Sequence, residues 1–137
     1  MADRYKILGQ VGIAAGGGLT VLYTVPVAAA TTVASGVVEV SPKAVSIQVQ
    51  TLVTSIIVCN TDATPSGTFD IQLESAAATT ADTYLFKNTA VASDSTKVLS
   101  LGLTLSAGDI IRGNAVTADY DFTVMGIEIT SGGGPDA

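Results

Sequence analysis

A chain of 137 residues makes one domain, and a domain of this size buries roughly two thirds of its unfolded surface. Hydrophobic residues are an ordinary 47%, but only 13% are charged against a typical value of about 25%, so Thr, Ser, Ala and Gly cover much of the surface. A net charge of −6 with six scattered basic residues argues against nucleic-acid binding, and the lack of histidine beside a single cysteine, Cys59, excludes Ser-His and Cys-His nucleophile pairs, the usual zinc sites and an intramolecular disulfide.

Near the start, a β-prone run from Tyr5 to Leu8 stops at Gly9. The glycine-rich stretch from Val11 to Gly18 gives side chains little to pack, so residues 1 to 18 read as a flexible N-terminal arm outside the core. No charge occurs from Ile7 to Val38, yet glycines and Pro26 interrupt the span and no apolar run of about 18 residues forms. It therefore reads as soluble chain rather than as a signal peptide or a membrane span.

Leu19, Val21, Tyr23 and Val25 alternate along a first core strand that Pro26 closes. Residues 27 to 43 are rich in Ala, Thr and Ser, with room for a short strand from Val37 to Val40 between Gly36 and Pro42. Ala44 to Gln50 alternates again, then the phase slips at Thr51 and Leu52, which calls for a bend or bulge near Thr51. The run Ile56, Ile57, Val58, Cys59 is apolar on consecutive positions, the mark of a strand covered on both faces, and there Cys59 reads as a small buried hydrophobe.

Val53 to Glu74 carries the plainest grammar, strand, loop and strand, with Phe69, Ile71 and Leu73 alternating against Thr68, Asp70, Gln72 and Glu74. Its loop from Thr61 to Ser66 is too long for a tight turn and is either a loose hairpin or a crossover between two sheets. Ser75 to Asp82 is a loop or short helical turn, Tyr84 to Lys87 a short strand, and Asn88 to Thr96 turn chemistry. Leu99, Leu101, Leu103 and Leu105 then alternate along a half-buried strand, and Ile110 to Arg112 forms a short one. In the last strand, Asp121 to Ile129, the apolar phase moves from Phe122 and Val124 to Ile127 and Ile129 across Gly126, a place for a bulge. Residues 131 to 137 read as a flexible tail, which leaves residues 19 to 130 as one β-sandwich domain. With roughly eight to ten strands and no long helical period, the fold class is all-β, a jelly-roll-like β-sandwich.

Little in the chain points to chemistry. Asp119 and Asp121 lie two apart, the spacing that puts two carboxylates on one side of a strand, but two carboxylates are too few for a tight calcium site and read as a solvated turn. Asp70 and Glu74 read as a wet strand face. Gly16 to Gly18 follow no predicted strand and open no helix, so they read as a hinge rather than a phosphate cradle. Most of the seven aromatic residues fall on apolar strand faces, and there is no tryptophan to stack a sugar or base. No catalytic, metal or cofactor site is expected. A surface so poor in charge points instead to burial against copies of the chain or a partner. The candidate partner-binding residues are Arg4, Tyr5 and Lys6 in the arm, with Tyr5 the one aromatic placed to serve an interface.

The segments Leu8-Gly9-Gln10, Leu22 to Pro26, Ile57 to Asn60, Thr68 to Ile71, Tyr84 to Phe86, Leu101 to Asp109 and Gly126 to Ile129, taken in order, resemble a family of small virion proteins of tailed bacteriophages. The resemblance implies a non-enzymatic β-sandwich subunit that decorates or cements the capsid shell. Its implied partners are the major capsid protein and its own copies, grouped as homotrimers on the capsid surface of the virion. A tail-associated adaptor or receptor-binding module is the alternative. One departure is the long segment between Pro26 and Ile57, which leaves open which face binds.

Overall fold

A computed structural model describes residues 4–27, 31–32, 44–45, 47–63, 66–76 and 83–132. Among them are ten strands: β1 Tyr5–Ile13, β2 Thr20–Thr24, β3 Thr31–Thr32, β4 Ala44–Val45, β5 Ile47–Asn60, β6 Gly67–Glu74, β7 Thr83–Val91, β8 Thr96–Ser106, β9 Ile110–Ala115 and β10 Tyr120–Gly132. Two four-stranded antiparallel sheets form, in the orders β1-β10-β5-β8 and β2-β9-β6-β7, and β3 pairs with β4. The protein is an all-β sandwich. Its ribbon pairs β1·β10, β2·β9, β5·β8 and β6·β7 fall alternately into one sheet and the other, an order consistent with the expected jelly-roll winding. The loop from Thr61 to Ser66 is thus a crossover, carrying the chain from the first sheet to the second.

The core lies where the inner faces meet. Phe69 of β6 packs edge-on against Tyr120 and Phe122 of β10, with ring centroids 5.8 and 5.9 Å apart. Val53, Ile56, Val58, Ile71, Ile111 and Val124 are fully buried around them. Each such side chain contributes about 1.5–3 kcal/mol by leaving water, and this drives the two alternating faces together.

Several expectations are corrected. Residues 5 to 13 do not form a free arm: they are β1, an edge strand laid on β10 from Tyr5↔Ile127 to Ile13↔Tyr120. The glycines that read as breakers have another purpose. A Cβ on Gly9 would collide with the carbonyl oxygen of Leu22, so glycine is what lets β1 come this close to β2. At the other end β10 runs on to Gly132, pairing with Ile47, so the first two residues of the expected tail are strand. Asn88 to Val91 extend β7, with Asn88 at φ 49° making a bulge, and the turn narrows to residues around Asp94 at φ 50°. The strand expected from Val37 to Val40 lies outside the described residues.

The two phase slips also fall elsewhere. Val49, Thr51 and Val53 are all buried and continue one face. The slip comes at Thr54, which has no opposite number on β10 or β8, after which Ile56, Val58 and Asn60 resume the inner face. Thr51 reads as polar in the sequence but is wholly buried, its hydroxyl 2.8 Å from that of Tyr23. In β10 the alternation never breaks. Tyr120, Phe122, Val124, Gly126 and Glu128 face inward, and Ile127 and Ile129 stay outside with Asp121, Thr123 and Met125. Gly126 is needed because a Cβ there would strike the Leu52 carbonyl beside the β5 bulge. A further irregularity lies at Leu8 in β1, between Ile7 and Gly9, and the β8 register jumps from Ser100 to Leu103.

Candidate interaction face

The unbroken alternation of β10 decides what the outer face of the first sheet presents. Register places side chains in rows across β1, β10, β5 and β8 in turn. One row is Tyr5, Ile127, Leu52 and Thr104, and the next is Ile7, Met125, Ser55 and Ser100. Then come Gln10, Thr123, Ile57 and Val98, and last Gly12, Asp121, Cys59 and Thr96. Beyond the first row, Ile129 stands opposite Gln50. In all these rows the single charged side chain is Asp121. Large apolar groups are open to water, with Tyr5 53%, Ile7 52% and Val98 60% exposed. Cys59, expected in the core, is half-buried on this face.

Of the three candidate binding residues the structure brings one to the face. Tyr5 stands beside Ile127, and its oxygen accepts a hydrogen bond of 2.9 Å from the Thr54 hydroxyl. The Thr54 and Ser55 hydroxyls hold the Tyr5 phenol below its ordinary pKa. Lys6, one residue on, turns to the other side and pairs with the Glu128 carboxylate. Arg4 is exposed ahead of β1.

Glu128 sits at the end of the sandwich, where the inner face ends in polar groups. Its second oxygen accepts the Tyr23 hydroxyl at 2.7 Å, leaving the Thr51 hydroxyl to donate to Tyr23. Burial alone would raise the Glu128 carboxyl, but hydrogen bonds from Lys6 and Tyr23 and the Lys6 charge hold it below the ordinary carboxylate range. Burial pushes the Tyr23 phenol well above its usual value against the opposing Thr51 bond, and the Glu128 carboxylate adds to the rise. The network ties β1, β2, β5 and β10 together at one end.

The expected carboxylate pairs come apart. Asp121 is on the outer face, while Asp119 lies before the strand, its Oδ1 accepting the Ala15 N–H at 2.7 Å and its own N–H donating to Asp62 at 2.9 Å. Asp70 is buried rather than wet, because the β7 bulge delivers the Asn88 N–H to its Oδ1 at 2.7 Å. Among the described residues no group of three or more His, Cys, Asp or Glu is placed to hold a metal ion, and no helix is long and apolar enough to cross a membrane.

Sequence reasoning missed Met125, Ile127 and Ile129 as surface residues. The signal was present: parity counted straight through Gly126 from the aromatic pair Tyr120 and Phe122 puts all three outside. No protein-family model, curated protein or solved structure matches the chain.

Proposed function

We propose that this protein is a non-enzymatic structural subunit of a phage virion, which decorates and cements the capsid by binding the major capsid protein lattice and its own copies. The observation that carries this reading is the outer face of the first sheet, where exposed Tyr5, Ile7 and Val98 stand in rows that hold one carboxylate. Covering such a face removes apolar area from water at about 25 cal/mol per Å² and strands almost no charge. Repetition over a lattice multiplies a modest contact into firm attachment. The ordered sequence resemblance to virion proteins supports the same reading, and jelly rolls recur in capsid domains, which supports it by analogy of fold. Grouping as homotrimers is part of the proposal.

Immunogold electron microscopy of intact phage with antibodies to this protein tests it. Label over the capsid is the expected outcome. Label on the tail would replace the decoration role with that of an adaptor, and no label on particles whose epitope is open would remove the virion reading.

A further inference from the structure

We infer that β1 exchanges between copies of this chain, so that residues 5 to 13 of one copy complete the first sheet of another along β10. The strand is built to detach. It is an edge strand in which Tyr5, Lys6, Ile7, Gln10 and Gly12 are exposed; Leu8 and Val11 are half-buried against the core, and only Ile13, at the body end, is deeply buried. Elements that bury so little lie at the low end of a protein's local stability.

What β1 leaves behind is selective. With the strand gone, the edge of β10 offers unpaired backbone beside a slot with fixed demands. A glycine must pass the Leu22 carbonyl where Gly9 does, whereas the second glycine, Gly12, only leaves room for the exposed Asp121 carboxylate, whose Oδ1 would lie 2.8 Å from a Cβ there and can swing aside. A cation must reach Glu128 where Lys6 does, and an apolar side chain must enter the core directly after the second glycine, as Ile13 does. The β1 of a second copy meets every one of these demands in register, which makes a copy of this chain the fitting occupant.

The connection permits the exchange. Residues 14 to 19 are all exposed, with Gly16 and Gly18 at φ 71° and 83°. In the closed form hydrogen bonds from Gly17 N–H to Ala14, Gly16 N–H to Ala115, Ala15 N–H to Asp119 and the Thr20 hydroxyl to the Gly18 carbonyl hold this turn. Drawn out, six residues span about 20 Å, enough to reach a neighbour. Because the exchanged strand makes the same contacts with β10 that it makes at home, the balance is set by the turn and by the local concentration of copies. Only the supply of that concentration by a capsid lattice rests on the virion reading.

A mixing experiment tests the exchange on full chains. Two variants, both carrying Cys59→Ser, receive one new cysteine each: Gln10→Cys in the first and Thr123→Cys in the second, positions that face each other across β1 and β10. The variants are incubated together at high concentration, oxidised and run on a non-reducing gel. Exchange gives covalent heterodimers well in excess of either homodimer. Closed copies docked face to face give homodimers as readily, so equal yields, or no cross-link, overturn the inference. A third variant lacking residues 16 to 18 cannot fold β1 back with ease and is expected to move from monomer to multimer in analytical ultracentrifugation. If it stays a folded monomer by circular dichroism, the inference is likewise overturned. Binding to isolated phage heads is measured separately: heads bound without exchange would remove this inference alone, and exchange without head binding would remove the capsid role alone.

Discussion

The two outer faces of this sandwich come from the same alternation of residues and the same antiparallel ladders, yet they present different chemistry. On the second sheet, Arg112 and Glu74 form an ion pair at 2.7 Å, Lys87 lies 4.8 Å above the Tyr84 ring, and Asp70 is tied to Asn88. Apolar residues are present there too, since Val21 is 43% exposed, but they stand in the same row as Arg112 and Gln72. On the first sheet the outer positions of β10, β5 and β8 hold Met, Ile, Leu, Val, Cys, Thr, Ser and Gln, with Asp121 alone charged. The inner faces obey one rule because the core demands it, whereas each outer face records what it meets. The contrast is what the proposed function requires: a face that meets only water can keep its charges, whereas covering a face by a partner disfavours them, because buried unpaired charge is costly.

The largest expected effect separates the sheets through their glycines. Gly126→Ala drives a Cβ into the backbone of β5 and is expected to cost about 3 kcal/mol in urea unfolding, as severe overpacking does. Gly113→Ala on β9 meets only the flexible end of Leu22, at 3.0–3.2 Å, and is expected to cost about 1 kcal/mol. Equal costs would mean that backbone approach in the first sheet is no tighter than side-chain packing in the second. Next in size, Met125→Asp with Ile127→Asp is expected to weaken binding to phage heads by about 30-fold or more, the scale of a central interface residue; both side chains are half-buried, so urea unfolding of the same variant separates lost binding from lost folding. Val21→Asp on the opposite face is the control and should leave head binding unchanged in the same co-sedimentation assay.

Tyr23→Phe removes the hydroxyl that joins Thr51 to Glu128 and is expected to cost about 1–2 kcal/mol, the range for leaving buried partners unsatisfied. The same network carries a pH dependence. Because the folded state holds Glu128 below its ordinary value, its contribution is present above that value and is lost as pH falls through the folded one. Glu128→Gln should therefore flatten the acid limb of the stability curve relative to the parent, as followed by thermal melts between neutral and strongly acidic pH. The smallest effect belongs to the exposed pair on the second sheet: Lys87→Ala, which loses a cation over the Tyr84 ring, is expected to change stability by about 0.5–1 kcal/mol in urea unfolding.

The sandwich was legible wherever a strand alternates between strongly apolar and strongly polar residues. Phe69, Ile71 and Leu73 in β6 and the leucines of β8 were placed correctly by parity alone. Parity failed where residue type and position disagree. Thr51 is polar but buried against Tyr23, so the slip reads there rather than at Thr54, and Ile127 is apolar but outside, so a bulge reads at Gly126 where the alternation of β10 runs on. The glycines misled for a different reason. Gly9 in β1 is there to let the Leu22 backbone come close, and a single chain read in order does not reveal what lies across from it. The outer face itself emerged only from register, because Tyr5, Ile127 and Leu52 come from distant parts of the sequence and become one row only when three strands are aligned.

The irregularities of the first sheet, at Leu8 in β1, at Thr54 in β5 and between Ser100 and Leu103 in β8, fall along one line across all four strands beside Met125 of β10. Each irregularity interrupts the ladder and adds twist. In mechanical terms the sheet has a crease. The rows through Ile127 and Ile129 form one facet and those through Thr123 and Asp121 another, and the plate bends about the line between them more readily than within either. If the proposed capsid role holds, a sheet creased in this way meets its partner with two facets set at an angle along Met125 rather than with one flat plate.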